Sequence, residues 1–321
     1  MAARLDAELV RRGLARSRRE AAALVAAGRV TVAGATVTRP AAPAPADDDL
    51  RVDRPADDAG WASRAAHKLE GALVALEDAG LAVPVDGTVC LDVGASTGGF
   101  TDVLLRRGAR RVVAVDVGHG QLVERLREDP RVDVREGVNA RELDAGDFAV
   151  PPTVVVGDLS FISLGHVLPA LALVAAPTAR AVLLVKPQFE VGRERLGTGG
   201  VVRDPALHED AVLRVAADAD RSGWTVRAVV PSPLPGPHGN REFVLLLDRA
   251  SHTAADTLDG MVGTRSALTL ADAVRAAVAA PVVPAADDWT APPTPAAFVV
   301  GTVGGADHDH DHEHDEQGVS R

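Results

Sequence analysis

The segment "LDVGASTGGF", residues 91–100, decides how this chain folds. It closes an apolar run, "TVCLDVG" (88–94), that reads as a buried strand. The stretch after it, "FTDVLLRRG" (100–108), has helical spacing. Between the two, Gly94, Gly98 and Gly99 form a short loop whose backbone can approach a ligand closely. The next apolar run, "RRVVAVDVG" (110–118), is a second strand, and Asp116 ends it. An acid at that place can accept both hydroxyls of a ribose. The spacing is not G-x-G-x-x-G, because Ser96 stands where the second glycine would be. Nor does the loop end in G-K-[ST], which excludes a phosphate-binding P-loop.

Working outward, strands and helices keep alternating. "QLVERLRED" reads as a helix, and "RVDVREG", "TVVVGDLS" (153–160) and "ARAVLLVKP" (179–187) read as strands. A helix follows Ser163, and Asp204 caps another with Pro205 at its first position. "WTVRAVVP" and "REFVLLLD" close the pattern as an antiparallel edge pair. Upstream, Ser63 is placed to cap a helix running to about Ala79. That helix carries Lys68, which need not face the core. Alternation of this kind, with strands apolar on both faces, predicts an α/β fold built on a doubly wound parallel sheet.

The chain has 34 lysines and arginines, and only Lys68 and Lys186 are lysine. Lys186 ends one strand, Asp158 ends another, and Glu242 opens the antiparallel strand "REFVLLLD". Ligands of open α/β sheets sit beyond the carboxyl ends of the strands. These three groups therefore converge beside the glycine loop, and Lys68 can complete the set. Single charged residues at strand ends are ordinary, but four together with both lysines are not.

Residues 4–41 form a separate basic module. Residues 1–40 hold eight arginines against Asp6, Glu8 and Glu20, in a chain of net charge −11. Leu5, Leu9 and Val10 lie on a first helix that Gly13 can end. Ser17 and Glu20 suit a capping box for a second helix ending at Gly28, and "RVTV" and "ATVTRP" read as a hairpin around "AG". "LRVD" can add one more strand. The segment resembles the ribosomal-protein-S-four-type RNA-binding domain, matching at Arg4, Asp6, Leu9, Gly13, Leu14, Ser17, Arg18, Gly28, Val30, Val32 and Gly34. The resemblance implies binding of structured RNA. Arg4, Arg16, Arg18 and Arg19 are the RNA-binding candidates, the last three crowding a helix start that favours phosphate.

The large domain also carries a resemblance. G-x-x-x-G-G with a downstream acid is similar to motif one of the S-adenosylmethionine methyltransferases. The set "SRAAHKL", "LDVGASTGGF", "GDLSFISL", "LLVKPQFE" and "GNREF" resembles the FtsJ-like ribose 2′-O-methyltransferases. Behind an S-four-type domain it resembles the TlyA family, also called hemolysin A. This implies a Rossmann-like class I methyltransferase sheet and S-adenosyl-L-methionine as cofactor. It also implies methylation of cytidine 2′-hydroxyls in ribosomal RNA of both subunits, so the expected partners are ribosomal RNA or ribosomal subunits. Lys68, Asp158, Lys186 and Glu242 are then the catalytic residues, with Lys186 as base or alkoxide stabiliser. Asp92, Gly94, Ser96, Gly98, Gly99, Phe100 and Asp116 are the cofactor-binding candidates, with Asn139 added by analogy.

Domain limits are expected at 1–55 for the RNA-binding domain, 56–62 for a linker, and 63–250 for the methyltransferase domain. A low-complexity, disordered tail is expected over 251–321, apart from one helical pattern at 266–280. Its closing "DHDHDHEHDE" (307–316) alternates His with acid, a pattern that can bind zinc or nickel weakly, but a solvated acidic segment is the preferred reading and no metal is assigned. No apolar run reaches the roughly 18–20 residues of a membrane span. The start of the chain has no secretory h-region, and Cys90 is the only cysteine. A cytoplasmic monomer with no membrane partner is expected. A membrane-lytic role would need a signal, a span or a cationic amphipathic helix, and a non-catalytic RNA-binding factor would not need the four-residue set.

Overall fold

Apolar side chains on both faces of each inner strand dictate a sheet covered on both sides. The structure, a computed structural model, describes residues 3–15, 18–44, 49–53, 60–236, 239–249, 268–281 and 292–301. Two clusters of elements are found. The N-terminal one contains β1 (Ala3–Arg4), α1 (Leu5–Arg11), α2 (Arg18–Ala26), β2 (Val30–Val32), β3 (Ala35–Thr36), β4 (Pro43–Ala44) and β5 (Leu50–Val52). β2 pairs antiparallel with β3 and with β5, so "LRVD" does add a strand to the hairpin. Leu5, Leu9, Leu24, Val25 and Val30 form its core. Gly13 and Gly28 follow the two helices at φ +68 and +70, the left-handed geometry that ends a helix. The expected cap residue Ser17 and the side chain of Glu20 lie outside the described residues, as do Arg16 and the side chain of Arg19.

The larger cluster follows the predicted alternation. It comprises α3 (Ala65–Asp78), β6 (Val89–Val93), α4 (Gly99–Arg106), β7 (Arg111–Asp116), α5 (Glu124–Arg127), β8 (Val132–Glu136), β9 (Val154–Gly157), α6 (Leu168–Val174) and β10 (Arg180–Val185). Then come α7 (Pro187–Glu190), α8 (Pro205–Arg221), β11 (Trp224–Pro231), β12 (Phe243–Arg249), α9 (Leu270–Ala279) and β13 (Phe298–Val299). The eight strands are ordered β13-β11-β12-β10-β9-β6-β7-β8. β8, β7, β6, β9 and β10 are mutually parallel, and β12, β11 and β13 pair antiparallel. Successive strand residues serve opposite faces: Cys90, Val154, Val156 and Leu184 pack with α3 and α4, while Leu91, Val155 and Leu183 pack with α6, α8 and α9. Each buried leucine or valine contributes roughly 1.5–3 kcal/mol.

Four local expectations are corrected. Ser63 does not cap α3: Arg64 is its first flanking residue, in helical geometry with no side-chain cap. The Ser63 hydroxyl instead faces Gly99, where a Cβ would come within 2.4 Å of it. The helix expected over "QLVERLRED" is only four residues long, because Val123 before it is extended and Pro130 follows. The last two predicted strands are not the edge: β12 lies between β10 and β11, and β13 pairs outside β11. The fourth concerns the tail. α9 buries Ala273, Val274, Ala277 and Val278 in the sheet's core, and β13 extends the sheet, so the folded body runs past 250. The segment 307–316 lies outside the described residues.

Candidate active site

The parallel strands deliver their last residues to one edge. Gly94 follows β6, Asp116 ends β7, Asp158 follows β9 and Lys186 follows β10. β12 runs the other way, with Val185 opposite Phe243, so Glu242 enters at this same edge. Two adjoining cavities open there. The larger, about 660 Å³, is walled by the glycine loop, Asp116, Val117, Gln121, Asn139 and Phe161. The smaller, about 230 Å³, holds Lys68, Lys186, Arg64, Phe100 and Pro235. Gly94, Ser96, Asp158 and Ser160 line both.

The larger cavity has a fixed carboxylate in its wall. Asp116 receives the backbone N–H of Ser96 at 2.8 Å and of Gly118 at 2.7 Å, which fixes its carboxylate at the cavity wall. Ser96 takes φ +47, a left-handed conformation unusual for a side-chain-bearing residue, and its hydroxyl bonds Gln121 at 3.1 Å. Gly94 is at φ +80, and a Cβ there would meet the carbonyl of Asp158 at 3.0 Å. Val117 is exposed beside Asp116 and offers an apolar surface. Asn139 also lines the cavity, where its side chain caps the turn 140–142. A carboxylate for hydroxyls, a glycine loop and an apolar wall fit a nucleoside-bearing cofactor.

Four predicted cofactor residues have other surroundings. Asp92 is fully buried in β6 and accepts the Thr101 hydroxyl at 2.6 Å, away from either cavity. Burial, opposed by that hydrogen bond, pushes its carboxyl up to about 7. The reason is register: Asp92 sits one residue short of the strand end, between Ala114 and Val156. Gly98 lines neither cavity; at φ +94 it makes room for Leu126 and Leu122, which a Cβ would strike at 2.4 and 2.8 Å. Gly99 and Phe100 line the smaller cavity, not the larger.

The four expected catalytic residues are brought together as two ion pairs. Lys186 Nζ lies 2.6 Å from Asp158 Oδ1 and donates to Ser160 Oγ at 2.8 Å. Lys68 Nζ donates to Glu242 Oε2 at 2.5 Å. Lys68 is buried, at 5% exposure, contrary to the freer position expected from sequence. Its partner lies 174 residues away, which no local pattern reveals. Glu242 Oε1 has no hydrogen-bond partner among the described residues and faces Gly236, where a Cβ would come within 2.0 Å.

Sequence reasoning passed over Ser160 and Phe161, although both stand in "GDLSFISL". Phe161 is 91% exposed at the cavity mouth, at φ +65, its ring 5.2 Å from that of Phe189. Such backbone strain concentrates at functional sites. Glu190, buried in α7, accepts from Ser163 Oγ at 2.6 Å and Leu164 N at 2.9 Å, tying the end of this loop to the helix that follows Lys186. Of the expected linker 56–62, residues 60–62 are described and pinned: Asp102 in α4 accepts the Ala62 N–H at 2.8 Å, and Arg106 lies over Trp61 at 4.1 Å.

In the basic module, Arg4 and Arg18 both reach Asp6, at 2.9 and 3.3 Å. Among the described residues no helix is long and apolar enough to cross a membrane.

Comparison with known proteins agrees with this geometry. The FtsJ-like methyltransferase model matches residues 61–249, and the S4 domain model matches residues 3–50. A Mycobacterium tuberculosis (strain ATCC 25618 / H37Rv) protein named 16S/23S rRNA (cytidine-2′-O)-methyltransferase TlyA is 54% identical over 245 residues, 76% of this chain and 89% of that one. Hemolysin A of Brachyspira hyodysenteriae is 37% identical over 242 residues, 75% of this chain and 98% of that one. A solved structure from Streptococcus thermophilus, also bearing the hemolysin name, is 39% identical, covers 77% of this chain and 88% of its own, and superposes with a TM-score of 0.61. With its sheet, its glycine loop and its paired lysines accounted for, the chain belongs to the FtsJ-like methyltransferase family and carries an S4 domain at its N-terminus.

Proposed function

We propose that this protein transfers a methyl group from S-adenosyl-L-methionine to the ribose 2′-hydroxyl of a cytidine in ribosomal RNA. The observation that carries the reading is the two lysine–carboxylate pairs whose lysines both line the smaller cavity, with Asp158 lining the larger one as well. The nucleotide and the RNA come from the names of the relatives; the residues supply the chemistry. Asp116 would hold the cofactor's ribose hydroxyls, with Gly94, Ser96 and Asn139 lining the same cavity. When bound, the cofactor would supply an electrophilic methyl group.

The target ribose enters the smaller cavity, between Lys186 and Lys68. An ammonium has three donor directions. One on Lys186 goes to Ser160 Oγ while its charge is paired with Asp158, which leaves an N–H for the 2′-oxygen. As an ammonium Lys186 holds the developing oxyanion by its charge; to act as the base it must first give up a proton, so that its lone pair faces the 2′-hydroxyl and takes the proton as the oxygen attacks the methyl group. Arginine cannot serve as the base, because it does not exchange a proton, and its planar fork does not reproduce the compact point charge of an ammonium. The Lys68–Glu242 pair fixes the far wall. Phe161, exposed at the mouth, offers a ring on which a base can stack. The N-terminal module binds structured RNA and delivers the target.

The test is transfer of labelled methyl from S-adenosyl-L-methionine to free rRNA, single subunits and whole ribosomes, followed by alkaline cleavage. A ribose 2′-O-methyl leaves a gap in the ladder, because the blocked hydroxyl cannot attack its phosphate. Label found only on a base would overturn the reading. Lys186→Arg is expected to abolish transfer while RNA still binds, and an active arginine variant would remove Lys186 from the chemistry.

A further inference from the structure

Two carboxylates are buried in a module whose surface is basic. Asp6 and Glu8, both on α1, are 4% and 2% exposed. Charged groups are rarely buried unless paired, and each of these is gripped by two arginines. Asp6 accepts Arg4 Nε at 3.0 Å and Nη2 at 2.9 Å as a two-pronged fork, and Arg18 Nη2 at 3.3 Å. Glu8 accepts Arg11 Nε at 2.7 Å and Nη2 at 2.5 Å, and Arg12 Nε at 2.7 Å. A guanidinium has five N–H donors, more than these bonds use on Arg4, Arg11 and Arg18. Arg4, Arg11 and Arg18 remain 54%, 61% and 61% exposed.

We infer that Asp6 and Glu8 are positioning residues for RNA: they hold the guanidinium groups of Arg4, Arg18, Arg11 and Arg12 as a fixed phosphate-binding surface. Their loss weakens RNA binding although it removes negative charge from a surface that meets a polyanion. The reasoning is one of order. A free arginine must give up its side-chain freedom when it meets a phosphate. One already anchored by a buried carboxylate has lost that freedom in folding. The arginines in turn, Arg4 first for Asp6 and Arg11 first for Glu8, hold both carboxyls down to about 2, so both stay ionised at neutral pH. Arg11 and Arg12 thereby join the surface, beyond the arginines that crowd the start of α2. This inference rests on the reading that the N-terminal module binds RNA.

The test titrates the full chain and its variants against isolated ribosomal subunits over a series of salt concentrations. Arg4→Ala with Arg18→Ala is expected to weaken binding about tenfold or more, and to lower the slope of log affinity against log salt by about 2. Arg4→Lys with Arg18→Lys keeps the charge but not the fork, and is expected to recover less than half of that loss. Asp6→Asn alone is expected to weaken binding by about fivefold, and to have no further effect once both arginines are alanine. A merely structural role for Asp6 would persist in that background. If Asp6→Asn or the double lysine variant binds as tightly as the parent, or tighter, the inference is overturned. If Asp6→Asn fails to fold, the lysine variant decides alone. If the double alanine variant binds unchanged, the reading of the module as RNA-binding fails instead.

Discussion

Asp92→Asn should flatten the pH dependence of this protein's stability. Asp92 has no exposed surface, one hydrogen bond from Thr101, and a second oxygen, Oδ1, with no partner among the described residues. Its carboxyl moves from an ordinary value of 3.8 in the unfolded chain to about 7 in the folded one, chiefly through desolvation. A group raised on folding favours the folded state fully below its unfolded value, and that contribution is lost as pH rises through the folded value. The window is therefore about pH 4 to 7, and the whole effect is on the order of 4 kcal/mol at 1.36 kcal/mol per pH unit. Between pH 5 and 8 the parent should lose roughly 3 kcal/mol relative to the asparagine variant. Asparagine keeps the acceptor for Thr101, while its amide at the Oδ1 position has no acceptor, so a constant offset between the proteins is expected. The assay is urea unfolding of both at several pH values, and the readout is the difference between them. Contributions common to both, such as that of the buried His208 imidazole, cancel. Parallel pH profiles would refute the assignment of a buried, uncharged carboxyl to β6.

Glu242→Gln leaves Lys68 buried with no carboxylate opposite it, and unfolding should become easier by about 3–5 kcal/mol, with methyl transfer lost at temperatures where the variant is folded; calorimetry and labelled transfer check both. Gly236→Ala adds a Cβ that would lie 2.0 Å from Glu242 Oε1. The carboxylate must move, so turnover should fall at least about tenfold, measured with saturating RNA, although no charged residue is changed. A chain ending at residue 250 loses α9, β13 and the three carbonyls of residues 277, 278 and 280 that Arg241 caps. It should be less stable by about 4 kcal/mol or more, read as a lower urea midpoint.

How much of this was legible depends on the range of the interaction. The parallel half of the sheet follows from strand-length apolar runs separated by helical spacing, and the glycine loop and Asp116 follow from their place beside those runs. Asp158, Lys186 and Glu242 could be placed at one edge because topology fixes where strands end. Lys68 could not be placed: a lysine next to a leucine on a helix looks solvated until Glu242, far along the chain, is seen opposite it. Asp92 reads as a site residue in the motif, yet one step of register turns it into the core. β13 is two residues long and has no periodicity to detect. Arg4 and Arg18 read as free cations, whereas Asp6, which the pattern also names, already holds both. Ser160 and Phe161 are conspicuous only through a backbone angle and an exposure that composition does not encode.

The order of strands has a consequence for synthesis. β12 is made after β11 yet lies inside it, between β11 and β10. When β11 leaves the ribosome, its neighbour in the sheet does not exist, and it has no partner edge on the parallel half. The helices and the parallel strands can assemble first, with the glycine loop already formed and the RNA-binding module already made. Only the arrival of residues 242–249 seats Glu242 on Lys68 and zips the two halves together. The pair that Lys68 makes with Glu242 therefore waits on one of the last strands of the sheet to be synthesised, whereas Asp158 and Lys186 are already made.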